Sequence, residues 1–326
     1  MSDALVNGAF DGATTQGDLH ALVEAFFAST FSTDNPIITE AVKRMLAAGG
    51  KRLRPRITLL AADACGGEGI DHLHLAAYME LIHVATLIHD DVVDNARTRR
   101  GVNATAVDYG NRVSVLAGDY LFAWIFKNVT ANYPHPVPHV LSATLADICD
   151  GEVLQLQALG DLDLSLAAYV EIARKKTASL FAASAQCGAI MGGANRREVA
   201  GLRAFGDFFG IAFQMKDDLL DIIADERSLG KPVGNDLTER KVTIPLIEAL
   251  AAGDGAFRAE VRRFYEGRAN EAIPAIVAGI ERQGGLAATR AQIARFVDLA
   301  RAALEPISSG AAKEELANLA GALLVE

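Results

Sequence analysis

No uninterrupted apolar stretch here reaches the roughly eighteen to twenty residues that a membrane-spanning helix needs, so no transmembrane segment is read from it. The opening residues, MSDALVNGAFDGATTQGD, lack a basic region followed by an apolar core, which excludes a secretory signal. Cysteine is scarce. Cys65, Cys149 and Cys187 stand far apart in apolar helical context, without metal-ligand spacing. They are expected to be buried free thiols in a reducing cytoplasm. Positive charge is in deficit: the formal net charge is −10, which argues against nucleic acid as a partner. The basic residues are nevertheless clustered, which leaves room for a small anionic ligand. Alternating strand-like runs are few, and proline numbers only nine.

What remains is long stretches of strong helix formers in a chain of 326 residues, 51% hydrophobic and 22% charged. The expected fold is all-α, a single-domain helical bundle over residues 18–326 after a loose N-terminus at 1–17. Asp18 is placed as the N-cap of a helix at 18–30, and Asn35 and Pro36 open another to about Ala48. Helices are predicted from about Pro55 to Cys65, from near Asp71 through the 90s, and at 112–128, 139–159, 165–191 and 198–224. Residues 225–241 read as a polar loop, the best candidate for a mobile lid. Thr243 is read as the cap of the next helix, with Pro245 in its first turn. From 251 on, helices alternate with glycine-rich turns and carry no motif.

Within this, residues 79–101, MELIHVATLIHDDVVDNARTRRG, stand out. An apolar helix ends in Asp90, Asp91 and Asp94, followed by Arg97, Arg99 and Arg100. Asp90 and Asp94 lie ~40° apart on one helical face and Asp91 ~100° round from Asp90. Carboxylates this close repel one another, and a divalent cation resolves the conflict. Hard oxygen ligands suit magnesium, which takes one or two carboxylates and leaves positions for water and phosphate. Arginines nearby would meet the same phosphate bidentately. One such motif is explained equally well as a charged helix end. A second copy changes the weighing: DDLLD at 217–221 repeats the spacing with Asp217, Asp218 and Asp221 after the apolar run FGIAFQMK. Facing each other across a bundle, the two would hold a polyphosphate through several metal ions.

Seven segments in order carry a resemblance: GGKRLRP (49–55), IHDDVVDNARTRRG (88–101), GD (118–119), GEVLQ (151–155), KTASLF (176–181), FQMKDDLLD (213–221) and GKPVGNDLTERKVTIP (230–245). With them the chain resembles the trans-isoprenyl diphosphate synthases of the polyprenyl synthase family, well over about 35–250 and weakly beyond. The resemblance implies condensation of isopentenyl diphosphate with an allylic diphosphate. It implies three substrate-bridged magnesium ions on Asp90, Asp94 and Asp217, with Asp91 and Asp218 also catalytic. Lys51, Arg52, Arg54 and His83 are implied at isopentenyl diphosphate, and Arg99, Arg100, Lys231 and Lys241 at phosphate. Lys176 is implied at a diphosphate, Thr177 and Gln214 beside the allylic cation. Read as residues alone, the basic segment at 51–54 is a surface turn, His83 a packed core histidine, and the lysines solvated charges.

The family's growing chain descends alongside the first aspartate helix. Thr86 and Met79 share the face of Asp90 on the wheel, while Ile82 and Ala85 join them only by resemblance. Ala85 and Thr86 are small where short-chain enzymes carry an aromatic, so a deeper wall is expected at Met79 or at Phe122, Trp124 or Phe126. A long all-trans product of six or more isoprene units is expected, for a quinone side chain, with geranylgeranyl length as the alternative. A homodimer follows by analogy, with transient membrane contact for product release. A terpene cyclase would need neither GGKRLRP nor a second complete DDxxD. A catalytic subunit of a heteromeric synthase stays open.

Overall fold

The computed structural model describes residues 16–31, 33–68, 72–99, 102–223, 234–267 and 270–325, with side chains from residue 21. The fold is all-α. The first helices are α1 (Gln16–Thr30), α2 (Pro36–Ala47), α3 (Leu53–Asp63) and α4 (Leu73–Val93). A two-residue antiparallel pair follows, β1 (Thr98–Arg99) and β2 (Val102–Asn103), with Thr98 opposite Asn103. Then come α5 (Thr105–Tyr109), α6 (Asn111–Asn132), α7 (Val137–Gln157) and α8 (Leu166–Ala173). A π-helical turn, Arg174–Ala178, joins α8 to α9 (Ser179–Met191). The remainder is α10 (Arg196–Ile223), α11 (Asn235–Thr238), α12 (Ile244–Ala252), α13 (Gly255–Gly267), α14 (Ile273–Arg282), α15 (Gly285–Ala303) and α16 (Ala311–Gly321).

The residues fall into two compact units that the chain visits in alternation. One comprises Met1–Ser142, Ala183–Arg203 and Pro306–Leu316, and the other Ala143–Ala182, Ala204–Glu305 and Ala317–Glu326.

In the first unit α4 is the central element. It packs against α1, α2, α3, α5 and α6, and Leu75, Ala76, Ala77, Met79, Leu81, Ile82, Ala85 and Ile88 are fully buried. An element apolar on all sides is expected where helices surround it. Rings from three elements meet near its start: Tyr78 contacts Phe26, Trp124 and Tyr133, and Phe31 contacts Tyr120 and Trp124. Beneath them Arg52 and Glu80 form a buried ion pair, Nη1 to Oε1 2.6 Å, with Arg52 also donating to the Leu46 carbonyl at 2.8 Å. In the second unit α12 packs on α15, α14 and α8; Phe209 stacks on Phe213, and Phe181 meets Phe209 edge-on and Phe213 at a tilt.

Most predicted helices appear within a few residues of their predicted ends. Asn35 caps α2 as expected, its side chain accepting from the Ile37 amide at 3.0 Å. Four details differ. Asp18, expected as the N-cap of the first helix, lies inside α1, which already begins at Gln16. Thr243 occupies the N-cap position of α12 but its side chain makes no capping hydrogen bond. The helix expected at 165–191 is interrupted by the π turn. Of the three cysteines only Cys187 is buried; Cys65 is half-buried and Cys149 exposed, because Cys149 falls on the outward face of α7.

Candidate active site

The first aspartate motif closes α4. Asp94 is its C-cap, and its amide bonds back to the Asp90 carbonyl at 2.8 Å. Asp90 and Asp94 are half-buried, whereas Asp91 is fully buried. The chain then turns through β1, which returns Arg99 to Asp91: Nε donates to Oδ1 at 2.7 Å and Nη2 lies 2.5 Å away. Burial pushes the Asp91 carboxyl above its ordinary range, and the Arg99 guanidinium opposes that rise. Oδ2 of Asp91 is buried without a hydrogen-bond partner. Arg99, expected on phosphate, is thus engaged with Asp91. Arg100 lies outside the described residues.

The second motif lies in the last two turns of α10, within the other unit. Asp217 is exposed; Asp218 and Asp221 are buried. Asp221 Oδ2 accepts from the Asp236 amide at 3.0 Å. Asp218 receives two donors, the Tyr169 hydroxyl on Oδ2 at 2.6 Å and Gln214 Nε2 on Oδ1 at 2.8 Å. Burial raises Asp218 to about 6 despite those two bonds. Gln214 Oε1 in turn accepts from the Thr177 hydroxyl at 2.7 Å. The six motif carboxylates therefore divide evenly: Asp90, Asp94 and Asp217 reach solvent, while Asp91, Asp218 and Asp221 are buried in the protein's own bonds. The reachable three carry hard oxygen donors of the kind magnesium prefers. Among the described residues no group of three or more His, Cys, Asp and Glu side chains is placed to hold a metal ion.

The second unit holds a small cleft lined by Gln155, Tyr169, Lys176, Thr177, Gln214, Asp218 and Lys241, among others. Lys176 Nζ bonds Gln155 Oε1 at 2.6 Å and pairs with Glu152; Lys241 pairs with Glu239 at 2.7 Å. The π turn that carries Lys176 and Thr177 is tightly enclosed. A Cβ at Gly151 of α7 would fall 2.4 Å from the Lys176 amide nitrogen, and one at Gly210 of α10 2.4 Å from Ala178 Cα. Only glycine admits both approaches. A π turn widens the helix by one residue, a distortion frequent at functional sites.

The remaining predicted residues sort as follows. Lys51 is exposed and Arg54 and His83 half-buried. Arg52 differs from the expected exposed substrate contact: it is 1% exposed, and its guanidinium bonds Glu80 and the Leu46 carbonyl. Met79, Ile82 and Ala85 are buried, and Thr86 is half-buried with its hydroxyl on the His83 carbonyl at 2.8 Å. Phe122 also departs from expectation. Its ring meets His89, 5.7 Å between centroids, at the aspartate end of α4, whereas Trp124 meets Tyr78 three turns back. Residues two apart on a helix point to nearly opposite sides. Lys231 lies outside the described residues. Sequence reasoning passed over Tyr169 and Glu80. Tyr169 stands seven residues before Lys176, a same-face spacing that the π turn disguises, and nothing marks Glu80 in the sequence as the partner of Arg52.

The site is thus an all-helical scaffold with two aspartate-rich helix ends, whose solvent-reaching carboxylates are of the kind that suits a divalent cation and an anionic substrate. The particular assignment follows from comparison. Residues 35–280 match the family model described as polyprenyl synthetase, and the chain belongs to that family. It is 38% identical over 299 residues to octaprenyl diphosphate synthase of Escherichia coli (strain K12), covering 91% of this chain and 93% of that protein. Among solved structures, a decaprenyl diphosphate synthase from Rhodobacter capsulatus superposes with a TM-score of 0.89 at 40% identity, covering 96% of this chain and 97% of that one. A polyprenyl synthase from Caulobacter crescentus CB15, complexed with calcium and isoprenyl diphosphate, gives 0.87 at 36% identity, covering 94% and 93%.

Proposed function

We propose that this chain is a long-chain all-trans polyprenyl diphosphate synthase that adds isopentenyl diphosphate to a farnesyl or geranylgeranyl primer, its product destined for a quinone side chain. The observation that carries the reading is the pair of aspartate helix ends, each presenting solvent-reaching carboxylates, with the small residues Ala85 and Thr86 just ahead of the first. Asp90, Asp94 and Asp217 would hold the metal, three magnesium ions in the full complex. Bound magnesium neutralises the charge that builds on the departing diphosphate. Lys176 adds positive charge from the π turn, and Arg100, Lys231 and Lys241 are assigned to phosphate. Lys51 and Arg54, with His83, are assigned to isopentenyl diphosphate. Arg52 supports that segment from beneath through Glu80. Arg99 orients the first motif through Asp91. Thr177 and Gln214 are assigned to the neighbourhood of the allylic cation. Water must be kept from that cation.

The growing tail is assigned to the side of α4 marked by Thr86, Ala85, Ile82 and Met79, with Tyr78 and Trp124, rather than Phe122, as the far wall. A cytoplasmic homodimer touching membrane transiently to release product completes the proposal. Among the described residues no helix is long and apolar enough to cross a membrane.

The test is product analysis. The purified protein is incubated with magnesium, isopentenyl diphosphate and farnesyl diphosphate, and the dephosphorylated products are sized. A ladder ending at six or more isoprene units is expected. Arrest at four units would place the wall at Ile82 or Met79. Absence of elongation by folded protein would sink the stand-alone synthase.

A further inference from the structure

The hydrogen-bond chain in the second unit has a direction. Tyr169 O–H donates to Asp218 Oδ2 (2.6 Å), Gln214 Nε2 donates to Asp218 Oδ1 (2.8 Å), and Thr177 O–H donates to Gln214 Oε1 (2.7 Å). The carboxylate sets this direction. Turning the Gln214 amide over would bring its oxygen against a carboxylate oxygen at 2.8 Å and its NH2 against the Thr177 hydroxyl. The amide is therefore locked with its carbonyl toward Thr177, and Thr177 spends its single hydroxyl proton there. What its oxygen has left to offer the cleft is lone pairs. Asp218, only 4% exposed and with both oxygens already accepting, is poorly placed to ligate metal.

We propose that Asp218 and Tyr169 are positioning residues, which fix this chain so that Thr177 presents an electron-rich oxygen to the cleft, and that Asp218 is not a metal ligand. The inference rests on the assignment above of Thr177 to the developing allylic cation. An oxygen with its proton turned away is the end of the dipole that a cation requires, held in place before charge develops.

Asp218→Asn tests it with little change of shape. If the new amide oxygen keeps the Tyr169 bond, its NH2 faces Gln214. Gln214 must then turn over, its own NH2 donates to Thr177, and the threonine proton is released toward the cleft. Two readouts are taken. Calorimetric titration with magnesium and inorganic pyrophosphate should match wild type within about twofold. Turnover with farnesyl and isopentenyl diphosphates should fall about 10²-fold, with half-saturating magnesium unchanged. Tenfold weaker binding of magnesium pyrophosphate, or wild-type turnover, would overturn the proposal.

Tyr169→Phe, which removes one oxygen, carries the test if the asparagine variant does not fold. Its turnover should drop about tenfold with the magnesium-pyrophosphate titration unmoved. Added to Thr177→Val it should cost nothing further, because it acts through that hydroxyl; additive losses would refute the chain. If the wild-type protein elongates no primer, the failure belongs to the assigned function, and the calorimetric arm alone decides whether Asp218 binds metal.

Discussion

Replacing Gly151 by alanine adds one methyl group at one of the two closest approaches to the π turn. The new Cβ would lie 2.4 Å from the Lys176 amide nitrogen and 2.9 Å from Lys176 Cα, both backbone atoms that cannot swing aside. Ordinary contact begins near 3.4 Å, so α7 must retreat from the π turn by about 1 Å. Overpacking of this kind costs ~1–3 kcal/mol, and the better helix propensity of alanine returns ~1 kcal/mol. The net loss in stability is therefore about 0–2 kcal/mol. The functional loss should be larger. Lys176 is held by Glu152 and Gln155, which ride on α7 within a turn of Gly151. A displacement of about 1 Å between reacting groups and their positioning residues can cost about 10²-fold. Urea unfolding measures the first effect and steady-state elongation the second. Gly255→Ala is the control, since nothing lies within 4 Å of a Cβ there. A Gly151→Ala protein with the wild-type unfolding midpoint and wild-type turnover would refute the close-approach argument.

Removing Arg52 as Arg52→Met leaves Glu80 buried and unpaired, and should lower unfolding stability by about 3–5 kcal/mol in urea titrations; an effect confined to the KM for isopentenyl diphosphate would restore Arg52 to the substrate site. Ala85→Phe should shorten the product ladder by at least one isoprene unit on product sizing, at ~1–3 kcal/mol of overpacking, because Ala85 is fully buried. Trp124→Ala should lengthen the ladder in the same assay; an unchanged product distribution would remove Trp124 from the far wall. In native protein a thiol reagent should modify exposed Cys149 first. Cys65, pushed by burial to about 11, should follow slowly, and Cys187, pushed to about 12, only on unfolding, as peptide mapping of a labelling time course would show.

Much of this molecule is legible from local chemistry. Asn35 before Pro36 announces the start of α2, and the DDxxD spacing announces which carboxylates share a helical face. What escapes is set by partners distant in the chain. Arg52 sits in a glycine-flanked basic segment that reads as surface, yet Glu80, 28 residues on, draws it inside. The sorting of Asp217 from Asp218 needs Tyr169, 49 residues away, to show which carboxylate is inward. The π turn is announced by no glycine or proline; it becomes visible only when Gly151 and Gly210 are seen pressed against it. Phe122 and Trp124 look interchangeable in an aromatic stretch until the helix sends one toward His89 and the other toward Tyr78.

Trp124 is the chain's single tryptophan, and it stands edge-on to Phe31, just after α1, and to Tyr78 on α4. The fold has thereby installed one optical reporter at a junction of three segments. Its emission colour and anisotropy follow that junction alone, without labelling and without a second indole to confuse the signal. Stopped-flow mixing with successively longer prenyl diphosphates would test whether the proposed tail path reaches the indole, and at which chain length.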